Sequence, residues 1–189
     1  MYEEKQNDFA DKIFISLMDY YQNLVNNHPN NLGGIYRAGT GGPQDYVYMS
    51  KNVGATAEGR LAGTPYPSSF SPSLGIKPDG PLSIIKSFTK YDMKKLINGG
   101  PLTLELHDSI FINEQGVFKV ALLVKSFIEL GGHQLQLNSI NKDTLLDAQK
   151  HPENYSDLIV RVWGWSGYFV ELDLCFQNQI ISRIEYESI

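Results

Sequence analysis

Apolar residues recur at three-to-four spacing from residue 8 to residue 27, where Phe9, Ile13, Leu17, Tyr20, Tyr21 and Leu24 trace one helical stripe. The polar run Asn26-Asn27-His28-Pro29-Asn30-Asn31 ends that helix. From there to about residue 80 the pattern has no period, and Gly33-Gly34, Gly39-Thr40-Gly41-Gly42-Pro43 and Thr64-Pro65-Tyr66-Pro67 mark loops. A long irregular stretch in a compact domain is either functional or short of a neighbour. Regular patterning returns after Pro81. Residues 82–88 and 91–97 read as short helices, 102–107 alternates as a strand, and 116–130 is an amphipathic helix closed by Gly131-Gly132. Residues 133–137 read as a second strand, 143–150 as a helix capped by Asn141, 158–163 as a third strand, and 170–183 as the last helix. Strands alternating with helices predict parallel β-α-β units and an α/β fold.

The patterning is broken at one place. In Leu158-Ile159-Val160-Arg161-Val162-Trp163-Gly164-Trp165-Ser166-Gly167-Tyr168-Phe169, a glycine stands between the two tryptophans of the chain. Turn glycines normally sit among polar residues. Here the flanks predict an apolar environment for the Cα, at a loop tip between an extended segment and the last helix. Glycine permits the sharp bend, and a Cβ at this position is expected to crowd the loop. Glycine also has a chemistry of its own. A radical formed by losing a Cα hydrogen can flatten without a Cβ, and the flanking amide nitrogen and carbonyl delocalise the spin. The alternative is a buried strand-to-helix turn that requires glycine.

Composition narrows the classes. The chain has 189 residues, 42% of them hydrophobic, enough for one domain with a real core. A net charge of −5, without a basic run, argues against nucleic acid as a partner. No apolar stretch is long enough to span a bilayer, and the charged start Met1-Tyr2-Glu3-Glu4-Lys5 is unlike a signal peptide, so no membrane partner and a cytoplasmic location are expected. The single cysteine, Cys175, excludes an internal disulfide and a cysteine-rich metal cluster, and reads as helix packing. His28, His133 and His151 lack metal-ligand spacing, so no metal site is expected. Gly39-Thr40-Gly41-Gly42 lacks the lysine and spacing of a phosphate-binding loop. His107-Asp108-Ser109 contains triad residue types, but sequence neighbours rarely form a triad. Arg161 is expected to hold its loop by a salt bridge.

Around Gly164 the chain resembles the glycyl radical enzymes, whose fingerprint is Arg-Val-x-Gly-Tyr-Ser, then an aromatic residue, then a Gln-x-x-Ile-Ile-x-Arg helix. The matching residues are Arg161-Val162-Trp163-Gly164-Trp165-Ser166, Tyr168-Phe169 and Gln177-Asn178-Gln179-Ile180-Ile181-Ser182-Arg183. Trp163 replaces a small residue and Trp165 a tyrosine. Further blocks keep the family order: Glu58-Gly59-Arg60-Leu61-Ala62-Gly63-Thr64-Pro65, with Glu58 for the usual aspartate; Ser71-Pro72; Gly80-Pro81 through Ser87; Gly131 through Asn138; and Thr144 through Tyr155.

The resemblance implies the C-terminal part of a glycyl radical enzyme α/β barrel with its glycine-loop domain. Residues 1–100 would form a helix plus a loop-rich, barrel-associated region, and 101–189 the glycine radical domain with the Gly164 loop. Gly164 would be the catalytic residue and Arg161, Val162, Trp163, Trp165 and Ser166 its loop environment. His107 (or Glu105 of the same strand), Gln134 and Gln136 would line the cavity. The cofactor implied is the glycyl radical itself, installed on Gly164 by a separate radical S-adenosylmethionine activase with an iron–sulfur cluster. The family's catalytic cysteine loop has no counterpart here, so a larger partner chain is implied to supply it. The activity implied is that of an anaerobic, oxygen-sensitive lyase or transferase, as in pyruvate formate-lyase, the diol dehydratases and the arylacetate decarboxylases, acting on a small-molecule substrate by C–C, C–O or C–N cleavage. The Trp-Gly-Trp variant and the Arg-Ile-Glu-Tyr ending point toward the lyases and decarboxylases. One rival reading is an autonomous spare part that repairs an oxygen-cleaved enzyme, which the long portion before residue 100 disfavours, and another is a truncated or excised piece with no independent activity.

Overall fold

The structure is a computed structural model that describes residues 3–26, 28–57, 59–74, 76, 78–183 and 185–189. Glu58 of the family block, Asn27 at the expected end of the first helix and Ile184 of the ending lie outside the described residues. The order is α1 (Glu3–Asn26), α2 (Asp45–Tyr48), α3 (Gly80–Phe88), β1 (Pro101–His107), α4 (Glu114–Glu129), β2 (Gln134–Ile140), α5 (Lys142–Lys150), β3 (Ile159–Arg161), β4 (Ser166–Tyr168), α6 (Leu174–Ile181) and β5 (Glu185–Tyr186).

The β1-α4-β2 unit forms as its patterning predicts. Asn113 caps α4 by accepting from the Gly116 amide at 2.8 Å. At the other end Gly131 takes φ +85°, its N–H reaches Ile128 O, and the Gly132 N–H reaches Phe127 O at 2.8 Å, closing the helix with a Schellman motif. Asn141 caps α5 through the Asp143 and Thr144 amides. β1 and β2 pair in parallel from Pro101↔Gln134 to His107↔Ile140, and β5 pairs in parallel on the other side of β1, giving the order β2-β1-β5. The architecture is therefore a mixed α/β one. Three strands do not close a barrel, and β2 and β5 form the sheet's edges.

Three expectations are corrected. Residues 91–97 form a single 3₁₀ turn at Met93–Lys95, capped by Asp92, rather than a helix. The segment at 158–163 does not join the parallel sheet: β3 pairs antiparallel with β4 as a separate hairpin. The last helix starts at Leu174, after a 3₁₀ turn at Phe169–Glu171 and extended backbone at Leu172.

The core divides into two clusters. Alternate positions Leu102, Leu104 and Leu106 of β1 pack with Ile85, Phe127 and Met18 in the first. Val47, Leu145, Val160, Val162, Phe169 and Ile180 form the second. Both clusters draw residues from either side of position 100. In α1 the apolar stripe that marks the helix faces outward: Phe9 is 71%, Leu17 63% and Tyr20 67% exposed. Phe14, Met18 and Val25 occupy the inward face.

Candidate functional site around Gly164

The hairpin follows from a period of two. Val160 and Val162 point inward and are buried, while Ile159 and Arg161 point out. The strands register as Ile159↔Tyr168, Val160↔Gly167 and Arg161↔Ser166, and the Val162 N–H donates to Trp165 O at 2.9 Å. That leaves Trp163 and Gly164 as a two-residue tip. Gly164 has φ +70°, the sign that a type II turn demands at its third position.

The tip has a seat of its own. The far edge of the Trp163 indole lies on Gly41, where a Cβ would stand 2.5 Å from Cη2. The Trp165 ring packs edge-on against Phe176 with centroids 6.1 Å apart, and its N–H points at Pro43 O, 3.5 Å away. Both tryptophans therefore rest on the 39–43 loop and the second cluster. This corrects the expected packing around the Cα: the rings reach away to Gly41 and Phe176, Gly164 is exposed, and apart from its chain neighbours Trp163 and Trp165 nothing lies within 4 Å of an added Cβ.

Gly164 opens onto a cavity of about 530 Å³ lined by Gly41, Asn98, Gln134, Gln136, Arg161 and Trp163 among others. Gln134 and Gln136 thus meet the glycine loop, because Leu135 and Leu137, which alternate with them, pack against the first cluster. Gln134 Oε1 also accepts from the Gly100 amide at 3.1 Å. His107 does not join them. It ends β1 six residues beyond Pro101, about 20 Å along the strand. Its Nδ1 accepts from the Ser109 amide at 3.1 Å and lies 2.7 Å from Ser109 Oγ and 3.1 Å from Asp108 Oδ1. One ring nitrogen serves both neighbours, whereas a triad needs one on each nitrogen.

Arg161 forms no ion pair among the described residues; it donates to Ser166 Oγ across the hairpin at 3.2 Å. The ion pair at the loop belongs instead to Arg183, whose Nη1 lies 2.9 Å from Glu105 Oε1 with both side chains buried. Burial pushes the nearby Tyr46 phenol up, opposed by the Arg183 charge and reinforced by Glu105. Arg183 is visible in the sequence only as the last residue of the Gln-x-x-Ile-Ile-x-Arg run, and the seat at 39–43 only as an aperiodic glycine cluster. In the preceding loop Arg60 donates to the carbonyls of Gly54, Leu61 and Thr64 and stacks on Tyr66 at 4.5 Å, so it folds its own segment. Cys175 is half-buried on α6, packed against the second cluster.

Among the described residues no group of three or more His, Cys, Asp or Glu is placed to hold a metal. Among the described residues no helix is long and apolar enough to cross a membrane.

Residues 67–170 match the sequence model of a family described as Glycine radical. The trans-4-hydroxy-L-proline dehydratase of Clostridioides difficile is 36% identical over 95% of this chain, which spans 23% of that protein. The 4-hydroxyphenylacetate decarboxylase glycyl radical subunit of C. difficile strain CD196 is 36% identical over 79% of the chain, and 16% of that protein is covered. The solved glycerol-bound form of the B12-independent glycerol dehydratase from Clostridium butyricum superposes with a TM-score of 0.91 at 36% identity, over 95% of this chain and 23% of that one. The chain thus spans less than a quarter of the length of these relatives.

Proposed function

The chain belongs to the glycyl radical enzyme family, and on that premise we propose that Gly164 is its radical residue and that a larger partner chain carries the catalytic cysteine. One observation carries the reading. Gly164 stands exposed at the tip of a hairpin seated through both tryptophans, facing a cavity that no cysteine of this chain lines. An external radical S-adenosylmethionine enzyme removes one hydrogen atom from the Gly164 Cα. The glycyl radical then takes a hydrogen atom from a thiol of the partner: an S–H bond breaks and a C–H bond forms. The resulting thiyl radical starts cleavage of a C–C, C–O or C–N bond in a small substrate. The relatives named as dehydratases and a decarboxylase favour lyase chemistry over acyl transfer. Oxygen sensitivity follows from the open Cα.

The outward stripe of α1 and the two sheet edges supply surface for the partner. The likeness extends over 95% of the chain, including residues before position 100, which favours an enzyme portion over a shorter repair protein. The test is anaerobic co-purification with mass-spectrometric identification of the bound chain. Recovery of a cysteine-bearing protein of this family is expected. Recovery of a complete glycyl radical enzyme with an intact glycine loop would contradict the proposal.

A further inference from the structure

Arg183 lies on the turn after α6 and is 9% exposed. Its guanidinium joins four groups from three parts of the fold. Nη1 donates to Glu105 Oε1 at 2.9 Å and to Arg161 O at 3.1 Å. Nη2 donates to Val162 O at 2.7 Å, and Nε to Gln179 Oε1 at 3.1 Å. Glu105, 3% exposed, sits on the central strand of the sheet, and the same oxygen accepts from Asn138 of β2 at 2.8 Å. One side chain therefore connects the sheet, the last helix and the carbonyls two and three residues before Gly164.

We propose that Arg183 is the positioning residue of Gly164, fixing the hairpin tip against the parallel sheet through Glu105. A two-residue tip has little freedom once the carbonyls leading into it are held. The guanidinium suits the task because its five donors form a rigid planar fork that stays charged. Lysine keeps the charge for Glu105 but offers donors from a single nitrogen, and does not span both carbonyls and the carboxylate. A buried ion pair is weak evidence of net stability, so the contribution of Arg183 is geometric.

The inference rests on Gly164 as the radical residue, and its first readout is independent of the radical. In the full complex, R183K is expected to speed hydrogen exchange at the Val162 and Phe169 amides about tenfold or more, the loss of one or two hydrogen bonds from a charged donor, while α4 amides keep wild-type rates. After activation, the paramagnetic doublet of R183K is expected to broaden, because the tip samples more than one twist. E105Q retains the carbonyl contacts and is expected to show the same changes to a smaller degree. If R183K does not fold, E105Q decides. Wild-type exchange at Val162 together with a wild-type doublet, in R183K or in E105Q where R183K does not fold, would overturn the positioning role. The absence of any doublet in the wild-type complex would instead overturn the assignment of Gly164.

Discussion

Replacing Gly164 by alanine separates the chemistry of this residue from its part in the turn. Beyond the flanking tryptophans a Cβ at Gly164 meets nothing within 4 Å, so the main structural cost is the left-handed backbone at φ +70°. That cost is about 1–2 kcal/mol, which lowers the melting temperature of a chain this long by roughly 2–8 °C. Gly41→Ala is the matched control. Its Cβ would stand 2.5 Å from Trp163 Cη2, and the indole must shift. Overpacking of that kind costs about 1–3 kcal/mol. Thermal unfolding should therefore rank Gly41→Ala as no milder than Gly164→Ala. Anaerobic activation followed by paramagnetic resonance should rank them the other way. Gly41→Ala retains a doublet, and Gly164→Ala has none, since a Cβ restrains the planar radical. The reasoning fails if Gly164→Ala unfolds the chain, which would make the glycine a structural requirement, or if it retains the doublet.

Three further outcomes follow from particular side chains. Burial raises the Glu185 pKa above its ordinary 4.5, against the pull of His107 and the Lys142 backbone N–H, and Oε1 is buried without a partner. The folded state then holds the proton more tightly, so stability is fullest below the unfolded pKa and is lost as pH rises through the folded one. Glu185→Gln should accordingly gain on the wild type in urea midpoint as pH rises from about 4 to about 8, and parallel curves would contradict this. Cys175→Ala should cost about 1 kcal/mol of stability and leave radical formation and turnover intact; turnover lost with the fold preserved would make Cys175 part of the chemistry. Leu17→Asp, on the outward stripe of α1, should change melting by less than about 0.5 kcal/mol yet weaken association with the cysteine-bearing chain about tenfold or more, measured by anaerobic titration; unchanged affinity would place the partner elsewhere.

Much of this fold is legible in the sequence where periodicity and end signals agree. The β1-α4-β2 unit has alternating leucines, an amphipathic stripe and a closing glycine pair, whereas the Asn113 cap that starts α4 two residues before the expected position is not among these signals. In α1 periodicity gave the helix but not its orientation, because apolar residues occupy two faces. The stripe through Phe9, Leu17 and Tyr20 is the more regular, yet Phe14, Met18 and Val25 are those that find neighbours. The hairpin was hidden for another reason. β4 is only Ser166-Gly167-Tyr168, too short to show alternation, so the chain after Gly164 read as approach to a helix. Gly164 stood out because two indoles flank it, and Gln134 and Gln136 because they alternate with leucines. The roles of Glu105 and Arg183 required the third dimension: 78 residues separate them, and no local pattern pairs a strand glutamate with an arginine after the last helix.

The central claim, that the radical resides on Gly164, is tested most directly by mapping backbone cleavage. The complex is activated anaerobically with its activase and S-adenosylmethionine, shown to carry a doublet, then exposed to air and analysed by intact-mass spectrometry. The account predicts a cut at Gly164, yielding an N-terminal piece ending at Trp163 or Gly164 and a C-terminal piece beginning there. A doublet that decays in air with the chain intact, or a cut at any other residue, would contradict it.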